Sequence, residues 1–270
     1  MININKKAIR IVLLAVAVLS LVTGVLRVVI LSNYLEPDTG FYIRNTSAGL
    51  WFNVCVAAVL MLILACGLAT RKTKTPEYLD SKSMIVVFTS ALCVFMYFSV
   101  FAAGAYTVFT TKNASLFLYA EVVLCVPCCL NHVTICSKEI REKNTPHALF
   151  ATSEAVFFAV RTVENFMDKD TQINTSHRTL ELVLLCAIMM YFVTEAGFFV
   201  KREDASPSVP VYCMSGLAVV AFTFIFLIPH LASCLIVPGH EVEFVLMSVL
   251  DCCVMLFAAS RILTLKNQID

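Results

Sequence analysis

Charge is what this sequence has least of. Lys, Arg, Asp and Glu together make up 14% of its 270 residues, where a soluble domain carries about 25%. That excludes a water-facing surface of ordinary extent. Glycine is also scarce, at eight residues, so phosphate-cradling loops have little material. No G-x-x-x-x-G-K-S/T, H-E-x-x-H or G-x-S-x-G stretch occurs. The glycine–serine pattern of rhomboid proteases is missing too, as is the G-x-G-D of intramembrane aspartyl proteases. The expectation is a protein that is not an enzyme and holds no cofactor. A net charge of +1 argues against nucleic acid, which calls for a dense basic face.

What is present is apolar. Hydrophobic residues make up 59% of the chain and gather into eight segments, at about 9–32, 49–70, 83–108, 115–136, 147–167, 179–200, 210–236 and 241–264. A membrane-spanning helix needs about 20 mostly apolar residues. The reading is a single all-α transmembrane domain over 1–270, a bundle of about eight helices with the lipid bilayer as its solvent. The fifth segment is the weakest, because Glu154, Arg161 and Glu164 interrupt it. Lys6, Lys7 and Arg10 before the first segment resemble a secretory signal. The run from Ile11 to Leu31 is too long for one, and no A-x-A-like site follows, so a first span is expected. Spans of this number leave short loops, and function is expected within the bilayer or at its surfaces.

Positive charge tests the count. Segments on the N-terminal side of the bundle hold 14 Lys and Arg, Arg261 included, against 4 on the other side. That bias alternates at every loop and places both termini in the cytoplasm. Without the fifth span, every later loop would invert. Eleven of the twelve cysteines lie within apolar runs and Cys136 near a helix end, where buried cysteine acts as a small hydrophobe. Three glycosylation-type triplets, at Asn45, Asn113 and Asn174, fall on the predicted outer loops.

The two halves resemble each other. Val25-Leu26-Arg27 in the first span matches Ala159-Val160-Arg161 in the fifth; Glu121 and Cys128-Cys129 in the fourth match Glu243 and Cys252-Cys253 in the eighth. A 4+4 duplication with parallel repeats is the expectation this raises, as in some transporters.

Ionisable groups inside spans cost at least about 2.5–3.5 kcal/mol each on insertion scales, so they pair or line a cavity. At about 1.5 Å per residue, Arg27, Arg161, Glu121 and Glu243 share one depth, roughly 8 Å below the outer edge. Two readings stay open for these four. One is an outward-facing vestibule for an anionic solute or a proton path. The other is a symmetric pair of salt bridges, Arg27–Glu121 and Arg161–Glu243. Asp251 near the midplane and Glu195 in the inner half have no cationic partner at their depth in this reading. They suit a proton-coupled site, or neutral acids bonded to a neighbouring helix.

The run Cys125-x-x-Cys128-Cys129-x-x-His132-x-x-x-Cys136 has zinc-like spacing. It contains Pro127 and lies in a membrane helix whose turns send these side chains to different faces, so no metal is expected. Asp168-x-Asp170-x-Gln172-x-Asn174 lacks the sixth-position glycine and twelfth-position glutamate of a calcium loop.

One loop carries a resemblance. Glu36-Pro37-Asp38-Thr39-Gly40-Phe41-Tyr42, after an arginine-bearing first span, resembles that of a group of uncharacterised bacterial multi-pass membrane proteins. The resemblance covers about the first 60 residues and overall size. It implies a bacterial inner (plasma) membrane protein and no particular activity. Intramembrane charge and the repeat point to a small-solute transporter or permease-like protein. The alternative is a membrane-embedded sensor or binding module acting through a protein partner.

Overall fold

A membrane core leaves the backbone no water to bond, so each crossing segment must satisfy its own amides, as a helix does. The computed structural model describes residues 6–33, 46–71, 83–111, 114–137, 148–167, 176–199, 208–236 and 242–264, and among them every element is helical. The helices are α1 (Lys6–Asn33), α2 (Ser47–Thr70), α3 (Met84–Thr110), α4 (Leu116–Cys136), α5 (Ala148–Met167), α6 (Ser176–Phe199), α7 (Val209–Ile236) and α8 (Val242–Thr264). Each coincides within a few residues with an apolar segment of the sequence. The Glu36–Tyr42 loop, the three glycosylation-type asparagines and the Asp168 run lie outside the described residues.

Seven of these helices are long and apolar enough to cross a membrane; α5, with its three charged residues, is the exception. The outer surface agrees with a lipid solvent. Phe88, Phe95, Phe98, Phe109, Leu116 and Leu149 are all largely exposed, more large apolar surface than a water-facing protein carries. The chain is a multi-pass membrane protein built as an all-α bundle.

Helices successive in the chain run antiparallel, and so do α3 and α8, as their end-to-end contacts record. Ser115 at the start of α4 donates to Glu164 near the end of α5 at 3.3 Å, and Thr89 near the start of α3 meets Ser260 near the end of α8 at 3.0 Å. The end at which α1 begins is called proximal below, the other distal. Helices α3 to α8 form a ring of successive neighbours that closes where α8 lies along α3, and α1 and α2 pack outside the ring along α7. Burial follows from this: 72% of the apolar stretch of α7 is inside the bundle, against 22% for the peripheral α2. None of the described cysteines forms a disulfide.

The close helix pairs do not repeat under the exchange that a parallel 4+4 duplication implies. α1 lies along α7, but the corresponding α5 and α3 are joined through the Tyr97 side chain; α3 lies along α8, with no matching close pair of α7 and α4 among the described residues. Helix packing in lipid depends on local steric fit, and that fit differs between the halves.

The α1–α7 seam shows how. Pro229 lies inside α7, and a proline removes the amide that would bond the carbonyl four residues earlier. That carbonyl belongs to Ile225, and Arg27 Nη1 of α1 donates to it at 3.2 Å. Gly24, one turn earlier in α1, makes this reach possible: a Cβ there would stand 2.6 Å from the Phe224 carbonyl oxygen and 2.8 Å from Ile228 Cδ1. Gly24→Ala is therefore expected to push α1 off α7 and stretch the Arg27 bond, at about 1–3 kcal/mol. Gly67→Ala is the comparison, since its Cβ would meet the flexible end of Met214. Thermal unfolding in detergent should show the larger loss for Gly24→Ala; equal losses would remove the backbone contact as the cause.

Candidate functional site: two buried charge layers

Within the ring of α3 to α8, the ionisable side chains collect at two levels. The distal level centres on Arg161 of α5. Its Nη1 donates to Asp251 Oδ1 of α8 at 2.8 Å and its Nη2 to Oδ2 at 3.4 Å, the two-pronged geometry in which guanidinium and carboxylate match best. Both residues are buried. The guanidinium also lies over the Phe158 ring at 5.6 Å and in the field of Glu121 of α4 and Glu181 of α6. One cation thus faces carboxyls from three other helices.

The proximal level centres on Glu154 of α5, which is fully buried. Its Oε1 accepts from Asn131 Nδ2 of α4 at 2.6 Å, and its Oε2 from the Tyr97 hydroxyl of α3 at 3.3 Å. His132 Nε2, also on α4, stands 3.1 Å from Oε1. Beside the Phe257 ring lies a second pair, Arg261 Nε of α8 at 3.0 Å from Glu195 Oε1 of α6. Phe257 meets His132 edge to face at 4.7 Å and underlies the Arg261 guanidinium at 5.2 Å. Glu195 lies in the field of Arg261, Glu154 and His132 together, so the two pairs form one electrostatic unit. Tyr191 and Tyr212, bonded to each other at 3.1 Å, border it through α6 and α7.

Between the levels are rings. Phe157 packs edge to face on Tyr97 and on Phe158, Phe158 stacks on Phe192, and Phe192 stacks on Phe257. Phe157, Phe158, Phe192 and Phe257 are all fully buried. Glu154 and Arg161 are seven residues apart on α5, so the two levels are separated by about 10 Å of helix, filled by phenyl groups.

The residues singled out from sequence distribute unevenly over this geometry. Arg161, Asp251 and Glu121 come together at the distal level, and Glu195 belongs to the proximal one. Arg161 is partnered by Asp251; Glu243, the partner considered from the sequence, has its backbone in the first turn of α8 and its side chain outside the described residues. Asp251 and Glu195, expected to lack cations, have Arg161 and Arg261. Arg27 is not paired with Glu121 in the way symmetry would place it: α1 and α4 are not close neighbours among the described residues, and Arg27 reaches α7.

Sequence reasoning missed Glu154's partners and Arg261. Arg261 counts with the loop cations by its position near the end of the chain, but it is 1% exposed inside α8. His132 stands out in the sequence only as a zinc-like ligand. The cysteine run around it disperses, with Cys128 near Ser153, and Cys129 and Cys136 directed at the carbonyls of Val94 and Val87. The usable signal was depth: in antiparallel neighbours, Asn131 and His132 near the end of α4 face Glu154 near the start of α5.

No known family model, curated protein or solved structure matches the chain. The site must be read from its own chemistry.

A cleft of about 640 Å³ lies apart from both levels, between α1, α3, α7 and α8. Leu13, Ala17, Val220, Phe224 and Met255 line it, with Arg10, Ser83 and Thr264 around its proximal end.

Proposed function

We propose that the chain is a non-enzymatic carrier of small solutes in a bacterial inner membrane, with both termini cytoplasmic and α5 as an eighth crossing. The observation that carries this is the pair of buried charge layers divided by a plug of phenyl rings. Apolar residues hold a bundle in lipid at less cost than ions do, so two ionic layers on four helices are costly if their role is packing alone. A carrier needs polar groups at two depths and a barrier between them, and this interior supplies both. The distal layer, with Arg161 among three carboxyls, is the recognition end; its balance of charge fits a zwitterionic or cationic solute that displaces Arg161 from one carboxyl. The three charges of α5 are each matched by a neighbouring helix, which supports that helix crossing the membrane with the rest.

The test is thermal unfolding of the purified protein in detergent against a panel of amino acids, amines and small organic acids. A solute at about 100 times its Kd stabilises the native state by about 2.7 kcal/mol through mass action. A rise seen with one solute class and lost in Asp251→Asn is the expected result. A flat panel for wild type sinks the carrier reading.

A second reading is a membrane-embedded sensor or binding module working through a protein partner. The apolar cleft favours it, because none of the buried carboxyls lines that cleft and filling it requires no passage through the plug. A rise confined to long-chain amphiphiles, unaffected by Asp251→Asn, would select this reading.

A further inference from the structure

We infer that the proximal layer is a binding site for one exchangeable proton, held on His132 against Glu154 and governed by all four of its ionisable side chains. The ground is a charge balance. Glu154, His132, Glu195 and Arg261 are each at most 1% exposed, and they form one electrostatic neighbourhood across α4, α5, α6 and α8. Among the described residues, the layer sets two carboxyls against one guanidinium and one imidazole. Arg261 matches one carboxylate. A second carboxylate without compensation, enclosed away from water, is a state the fold avoids, so neutrality requires one further proton. The geometry gives it a place. His132 Nε2 stands 3.1 Å from Glu154 Oε1, close enough for an ion pair though not aligned as a hydrogen bond, and neither ring nitrogen has a hydrogen-bond partner among the described residues.

Other titratable or polar groups face the layer from the helices around it. They are Cys93 and Tyr97 of α3, Asn131 and Cys128 of α4, Tyr191 of α6, Tyr212 of α7 and Cys253 of α8. Thiols, phenols and amides are neutral at pH 7, so none alters the count. The proton is therefore a property of the coupled set, not of one residue. Loss of it leaves a net negative charge between four helices. Release must be accompanied by entry of water or a cation, or by movement of a helix. This holds whether or not the chain carries a solute, and its test uses no substrate.

The experiment is ¹⁵N NMR of histidine-labelled full-length protein in nanodiscs, with five histidines in the chain and the His132 signal assigned by its disappearance in His132→Gln. Wild type is expected to show the charged-imidazole signature for His132 at neutral pH. Glu154→Gln is expected to lose it. Glu195→Gln is the decisive variant, because Glu195 does not touch His132, yet its removal leaves Arg261 to balance Glu154 and makes the extra proton unnecessary. Loss of the signature in Glu195→Gln, with circular dichroism unchanged, supports the coupled site. A neutral His132 in wild type overturns the proposal outright. Retention of the charged form in Glu195→Gln overturns the coupling and reduces the contact to a local His–Glu pair. Should Glu154→Gln fail to fold, wild type and Glu195→Gln still separate these outcomes.

Discussion

Arg161→Met is expected to lower the stability of the bundle by about 3–5 kcal/mol, and adding Asp251→Leu is expected to restore most of it. The single change leaves Asp251 buried and without its two-pronged partner, and an orphaned interior charge carries a penalty of that size. The double change removes both charges and substitutes apolar chains of similar volume, which for buried pairs is often neutral or stabilising. Chemical unfolding in mixed micelles at fixed detergent composition measures both. The remaining shortfall in the double variant reports what Glu121 and Glu181 draw from Arg161, since both lie in its field. The outcome also divides structure from function. Full recovery of stability without recovery of solute binding assigns the pair to recognition. A double variant no better than the single one means that the pair organises the distal half of the bundle.

How far such an interior could be anticipated depended on which physical signal was local. The helices were legible because hydrocarbon thickness sets a length and a composition at once, and that signal lies within each segment. The three charges of α5 were legible in the same way, as residues that lipid would not accept without partners. Which partner each would find was not. Arg161 and Glu243 share a depth, yet the guanidinium takes Asp251, eight residues further along α8, about 12 Å by helical rise. Helix tilt and the reach of a long side chain both displace a charge along the axis, so depth counted from the sequence does not choose among carboxylates. Lateral order was the harder problem. In lipid it is settled by close steric fit, and the fit of Gly24 against Phe224 has no hydropathy signature. Arg27 illustrates this. Its likeness to Arg161 suggested a shared role, whereas its bond to Ile225 follows from Pro229, on a helix that no local pattern sets beside α1. The carbonyl four residues before a proline was written in the chain; the neighbour that would use it was not.

The largest mechanical effect is expected at Phe257. Its ring is fully buried and contacts both His132 and Arg261 while stacking on Phe192, so it touches both halves of the proximal layer and joins them to the plug. Phe257→Ala removes the ring's dispersion contacts and leaves a cavity, at a cost of about 3–5 kcal/mol for a core phenylalanine. The cavity would not be lined by hydrocarbon alone. Imidazole and guanidinium border it, each within 3.1 Å of a carboxyl, and a void with such polar partners fills with water. Two consequences follow that simple loss of packing does not produce. Water between the pairs screens Glu195 from His132, so the imidazole signal should become insensitive to Glu195→Gln in the Phe257→Ala background. The barrier between the charge layers also thins, so proteoliposomes holding a pH-sensitive dye should dissipate an imposed proton gradient faster with Phe257→Ala than with wild type. Phe257→Leu, which keeps the volume apolar without the ring, should remain tight and lose less stability. If Phe257→Ala proves tight to protons while remaining folded, the ring is core packing, and the phenyl plug is not the barrier that divides the two layers.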